Sequence, residues 1–350
     1  MKKIHYLLSI GAVAIAALLP LVTADQFVLH ICVMIFIYVG ITVAWNILAF
    51  GGILSLGHAA FFGIGSYTVA LLYVNLNINP WLGILAAMLT AGIGALCLAI
   101  PLLRLRGPFF TLSTLAFVEV LRLIAIYWVG LTNGSVGITT PPAEGWALLS
   151  FQERQPYYYI VLFMTLIAIS ISVWIYHSKM GYHLRAVASD EDAVRALGVR
   201  TPRLKLTALV ISAALTGAFG AFTAMYFFVI EPETNFSATL YSIQPALNGI
   251  IGGMGTLLGP IVGALLMTPL GEWLRTTFSG ATQGLNFVIY GIVLIVIVRV
   301  MPGGIVAGFT KLYRRFRPAE RSAGSGDSKD GTAEEIVDDD HISTTAGRRS

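Results

Sequence analysis

Ionisable side chains are scarce in this sequence, so each one inside an apolar run needs an account. Glu119 and Arg122 stand three apart within the run Phe109–Val129. On a helix that spacing puts them on one face, where they either satisfy each other or line a polar pathway. His58 stands at the start of another apolar run, where a cap or an interhelical hydrogen bond suits it better than a proton relay. Asn248 is placed to bond across helices in an irregular apolar segment. No Ser/His/Asp, Cys/His or paired-carboxylate set has catalytic spacing, and no G-x-x-x-x-G-K-[ST] loop is present to cradle a nucleotide's phosphates. The expectation is a chain that is not an enzyme, with no catalytic residues and no metal site. The run DDDH at 338–341 reads as solvated charge in a polar tail.

One stretch does gather charge. GYHLRAVASDEDAVRALGVRTP, Gly181 to Pro202, lies between the long apolar runs Tyr157–Tyr176 and Leu204–Val229. Ser189 followed by Asp192 fits a capping box, and Asp190, Glu191 and Asp192 suit the positive end of a helix dipole. Gly198 just past Leu197 is a stop, and Thr201–Pro202 reads as the cap and first position of the next helix. The spacing therefore predicts a two-turn helix over about 188–199, with Ala193, Ala196 and Leu197 on one face and Val194 beside them. A lipid anchor would want Trp, Phe or several Leu. Small residues on a rigid charged helix suit docking into a groove on another protein.

The elements that position these residues follow from composition. Of 350 residues 56% are hydrophobic and 11% charged, and the mean hydropathy is +0.79. A soluble domain carries about a quarter charged residues, so the class is a polytopic all-α transmembrane bundle. Apolar runs suggest about ten crossings: Leu7–Leu21, Phe27–Ala49, Ala59–Val74, Trp81–Leu103, Phe109–Val129, Tyr157–Tyr176, Leu204–Val229, Thr239–Met254, Leu257–Leu274 and Leu285–Val300. The eighth is short, contains Pro245 and ends in GGMGTLLGP, so a broken or re-entrant helix is its alternative. An even count puts both termini on one side. The basic clusters Lys2–Lys3, Arg104–Arg106, Lys179–Lys205 and Lys311–Arg317 fall on that side, which makes it the cytoplasm, with Arg275 the main exception.

The net charge of +4 thus sets orientation and does not indicate nucleic-acid binding. The first segment is read as an uncleaved helix in preference to a signal peptide. Cys32 and Cys97 lie in apolar runs and read as small hydrophobes, not a disulfide. The loop Gly130–Pro156 reads as ordered turns, and residues 318–350 as a disordered cytoplasmic tail. Gly57 belongs to one glycine cluster, Gly252 and Gly253 to another; helix packing is favoured slightly over lining a pathway.

The stretch DEDAVRALG resembles the loop by which ABC-importer permeases couple to their ATPases. Asp192-Ala193-Val194 stands where Glu-Ala-Ala is usual, and Gly198 keeps the glycine. LRAVASDEDAVRALGVRTPRLKLTALVISAALTGAFGAF is similar to the M-type permease of branched-chain amino-acid importers. GGILSLGHAAFFGIGSYTVALL, RGPFFTLSTLAFVEVLRLI, LTNGSVGI, GGMGTLLGPIVGA and YGIVLIVIVRVMPGGI resemble further blocks of that family, in family order, from about Phe50 to Gly304. The resemblance implies a permease domain over 1–317 in a bacterial inner membrane. It implies two ATPase subunits that bind ATP and Mg, a related second permease, a periplasmic or lipid-anchored solute-binding protein, and leucine, isoleucine or valine as substrate. Permeases of urea, amide or aromatic-acid importers are similar, and an ion-coupled secondary transporter centred on Glu119 is an alternative of another class.

Overall fold

A computed structural model describes residues 11 and 14–277, except 24, 103–104, 106 and 142–144, together with scattered residues between 288 and 308. Among the described residues, six helices are long and apolar enough to cross a membrane. They are α1 (Gln26–Ala49), α2 (His58–Leu76), α3 (Pro80–Leu102), α4 (Pro108–Tyr127), α6 (Arg154–His177) and α9 (Thr201–Phe227). Most of the expected crossing Leu285–Val300, the tail 318–350, the start of Leu7–Leu21, both arginines of the Arg104–Arg106 cluster and the clusters Lys2–Lys3 and Lys311–Arg317 lie outside the described residues. Residues 14–22 are helical.

The ends of these helices are set by local chemistry. The Asp25 carboxylate accepts the Phe27 N–H at 2.8 Å and caps α1. Asn77 closes α2 in the left-handed conformation, and Gly107–Pro108 opens α4 with proline in its first turn. The expected fifth crossing to Val129 stops instead at Tyr127. The Thr132 hydroxyl turns back to the carbonyls of Ala125 and Trp128, and a separate turn, α5 (Val129–Thr132), follows.

The helix α9 is the axis of the bundle, packed on α1, α2 and α3, with most of its length buried. Its sequence permits this, because Gly217 and Gly220 let it meet the backbones of α3 and α2. By contrast α4 is mostly exposed along its length. At the end of the bundle remote from the charged stretch, β1 (Ile138–Thr139) pairs antiparallel with β2 (Val229–Ile230) and ties the loop after α5 to the end of α9. A short helix, α10 (Pro232–Asn235), follows.

The expected eighth crossing, Thr239–Met254, is helical without a break, but its first turn is widened. A π-helical turn, Thr239–Ile243, leads into α11 (Gln244–Gly253). Pro245 has no N–H to give the carbonyl four residues back, and the chain widens there. The 5 and 10 residues of these two pieces reach only about 22 Å as helix, short of a hydrocarbon core of roughly 30 Å. The chain then turns sharply into α12 (Gly259–Thr277), which lies against α11 and α1.

Candidate functional site

The charged stretch folds as two helices, not one. α7 (Lys179–Ser189) and α8 (Glu191–Ala196) meet at Asp190, whose extended backbone breaks the run. The Asp190 carboxylate, at Oδ1, accepts the N–H groups of Asp192 at 2.9 Å and Ala193 at 3.0 Å. Asp190 is therefore the cap of α8, and the expected capping box on Ser189 is corrected: Ser189 is the last residue of α7. The physical reason is that an aspartate one residue nearer the break reaches both orphan N–H groups. Gly198 turns left-handed at φ +85° with open space around it. The next helix begins at Thr201 with Arg200 as its cap, so Thr201 is not the cap that its spacing suggested.

Polar and apolar contacts hold α7 to the bundle. The Arg185 guanidinium lies 4.0 Å over the Tyr176 ring and donates to the Tyr176 carbonyl at 2.8 Å. Leu184 is fully buried beside Gly51, and Ala188 abuts Gly52. In α8 only Val194 is buried; Ala193, Ala196 and Leu197 are exposed, Leu197 by 83%. These three residues are left uncovered by the described residues.

Glu191 points the other way. Its carboxylate accepts from the Lys205 ammonium at 2.7 Å, the Thr201 hydroxyl at 3.2 Å and Arg195 at 3.1 Å. Burial raises the affinity of this carboxyl for a proton, and Lys205, Thr201 and Arg195 outweigh that, leaving its pKa below the ordinary carboxylate value.

The other candidate residues divide between bundle interior and surface. After α1 the chain runs through 50–57 without helix, largely buried, and its backbone is satisfied by side chains. Thr111 donates to the Leu54 carbonyl at 2.7 Å, Trp45 to that of Ser55 at 2.8 Å, and Thr114 accepts the Leu56 N–H at 3.0 Å. Irregular backbone that is largely buried requires such partners. Gly57 precedes α2 and lies against Thr114. His58 is fully buried, its Nε2 2.8 Å from the Ser212 hydroxyl. That hydroxyl gives its proton to the Ala44 carbonyl at 2.7 Å, so His58 donates from Nε2. The pair is an interhelical tie among α1, α2 and α9.

Gly252 and Gly253 sit where α11 and α12 touch backbone to backbone, Gly252 against Gly259 and Gly263 against the Asn248 carbonyl. Asn248 is fully buried there. Sequence reading missed Asn46, the residue that fixes the turn between these helices. Its amide donates to the Thr256 carbonyl at 2.8 Å and its oxygen accepts the Gly255 N–H at 2.9 Å. An asparagine inside the apolar run Phe27–Ala49 was the available signal. Glu119 and Arg122 pair on α4, as their spacing allows, with Arg122 Nε 3.0 Å from Glu119 Oε2. Arg122 also reaches Glu233 of α10 at 2.5 Å, and both carboxylate side chains are more than half exposed. Both cysteines are free.

These features define a multi-pass α-helical membrane protein that presents a short charged helix at one end. Residues 27–298 match the family described as branched-chain amino acid transport system, permease component, and the chain belongs to that family. It is 28% identical over 291 residues to the "High-affinity branched-chain amino acid transport system permease protein LivM" of Escherichia coli (strain K12), covering 75% of this chain and 68% of that protein. The LivM protein of Salmonella typhimurium is also 28% identical, over 70% of this chain and 63% of its own length. The E. coli permease protein LivH is 26% identical over 77% of this chain and 90% of its own. No solved structure matches the chain.

Proposed function

We propose that this chain is the transmembrane permease subunit of an ATP-driven importer for leucine, isoleucine and valine. The substrate class is that printed in the names of the LivM and LivH relatives. The observation that carries the mechanism is the face of Ala193, Ala196 and Leu197, left exposed on a helix whose opposite side is tied to the bundle. Two separate ATPase subunits supply hydrolysis, since the sequence lacks a phosphate loop of its own; ATP and Mg belong to them, and this chain is not an enzyme. One ATPase seats on the exposed face, and its closure on ATP displaces α8 and the helices beside it.

A related permease lies alongside, and a periplasmic or lipid-anchored solute-binding protein delivers substrate at the far end. The chain sits in a bacterial inner membrane with its basic clusters, the coupling helix and both termini on the cytoplasmic side. Residues 1–317 form the permease domain and 318–350 a cytoplasmic tail. Glu119 gives the secondary-transporter alternative no support, being paired at the bundle surface instead of buried along a pathway.

Gentle solubilisation of native membranes holding a tagged chain tests this reading. Two ATPases and a second permease are expected to co-purify with the full chain, and the ATPases to be lost on removing 188–199. Purification of the full chain alone, under conditions that preserve other ABC complexes, would overturn it.

A further inference from the structure

Glu191 is the first residue of α8, within the motif that faces the proposed ATPase, yet its side chain is turned inward. It is 22% exposed and its partner Lys205 16%. Lys205 and Thr201 both belong to the first turns of α9, the helix that runs through the centre of the bundle. Between α8 and α9 the chain passes through Gly198, left-handed, with open space where a side chain would stand and its N–H given to the Arg195 carbonyl at 2.9 Å. A link of that kind bends easily. On the side toward Gly52, Leu54 and Thr111 a cavity of about 640 Å³ opens, with Glu191 and Lys205 on its wall. Backbone hydrogen bonds close the turn itself, from Gly198 to Arg195 and from Val199 to Val194, and the side chains that hold the corner are Val194, buried, and this carboxylate with its donors.

We propose that Glu191 is a positioning residue, a latch that joins the coupling helix to Lys205 and Thr201 so that movement of α8 is delivered to α9 and not absorbed at Gly198. This rests on the importer reading above. The carboxylate serves two helices at once. Toward Arg195, at i+4, it stiffens α8 itself. Toward Lys205 and Thr201 it fixes the angle between α8 and α9. A charged acceptor with donors of opposite charge in a partly buried corner makes stronger bonds than a neutral one. Glutamine at 191 keeps the shape and loses the charge.

The test uses the tagged full chain with the subunits that accompany it, as wild type, Glu191→Gln, Thr201→Val and the exchange Glu191→Lys with Lys205→Glu. Hydrogen exchange of the amides at 194–199 is expected to speed up about tenfold in Glu191→Gln, the loss of a charge-assisted hydrogen bond. It should speed up less in Thr201→Val and recover in the exchanged pair. ATPase co-purification should be unchanged in Glu191→Gln, because Ala193, Ala196 and Leu197 are untouched. Solute transported per ATP hydrolysed should fall severalfold in that variant and recover in the exchange. Wild-type exchange rates or a wild-type transport ratio in Glu191→Gln would overturn the latch. Absence of any ATPase from the wild-type preparation would instead overturn the importer reading, and the exchange rates would still report whether the corner is latched. Should Glu191→Gln fail to accumulate, Thr201→Val carries the same two readouts.

Discussion

The seam between α11 and α12 and the corner between α8 and α9 both join two helices across a glycine-containing turn, by opposite means. At the seam the backbones touch, and nothing larger than hydrogen fits at Gly252 or Gly263. The turn itself is gripped by Asn46 from a third helix. At the corner the side chains that hold are one buried valine and a carboxylate, beside the backbone bonds of the turn, and the apolar residues left over face outward. A joint made by backbone contact has one geometry and tolerates little change. A joint made by charged side chains at an exposed edge can be stiff and still be displaced as a unit. The first suits the interior of a permease and the second suits a lever.

The contrast predicts unequal damage. Gly263→Leu would drive a side chain into the Asn248 carbonyl and separate α11 from α12. Its cost is expected to be about 3 kcal/mol or more, seen as failure to accumulate in the membrane or a collapse of the melting temperature in detergent. Leucine tolerated at 263 with an unchanged melting temperature would mean the seam is not the rigid element it is taken for. Asn46→Ala removes two hydrogen bonds and leaves the Gly255 N–H and Thr256 carbonyl without their partner. That should cost roughly 2–3 kcal/mol, read by thermal melting, with α8 still able to dock. Leu197→Asp lies at the other extreme. It should leave the melting temperature within about 0.5 kcal/mol equivalent, yet cut ATPase co-purification at least several-fold. An equal loss in both measurements would erase the distinction between interior and lever.

How much of this was legible in the sequence follows the same division. The six long helices could be read because an apolar run of about 20 residues has one physical use. The charged stretch announced itself against its surroundings. Its internal break was misplaced by one residue, since Ser189 and Asp190 are both good caps and only the extended backbone at Asp190 decides between them. The partner of Glu191 was not readable, because Lys205 is 14 residues away and meets it only through the angle taken at Gly198. Asn46 itself was visible as an amide in an apolar run, but its partners lie 209 and 210 residues away and have no local signature. Glycine clusters were visible, but whether they packed helices or lined a path depended on what lay opposite. At Gly252 and Gly263 it is backbone.

The smallest effect is a predicted indifference to pH. Glu191 faces Lys205, Thr201 and Arg195, while Arg195 also pairs with Asp192 at 3.6 Å and Asp190 caps the same helix. Burial raises the Glu191 carboxyl and its donors lower it by more, so its folded-state value lies below the ordinary carboxylate value of 4.5. A depressed carboxylate contributes stability that is fully present above the unfolded value and is lost as pH falls through the folded one. Between pH 8 and about 5.5, therefore, amide exchange at 194–199, corrected for its intrinsic pH dependence, should not change. Loosening should begin only below that ordinary value. In Glu191→Gln this acid step at the corner should vanish while the seam keeps its own response. Loosening of the wild-type corner at pH 6 would point to a titrating group other than Glu191, and would sink the carboxylate as the element that holds the lever.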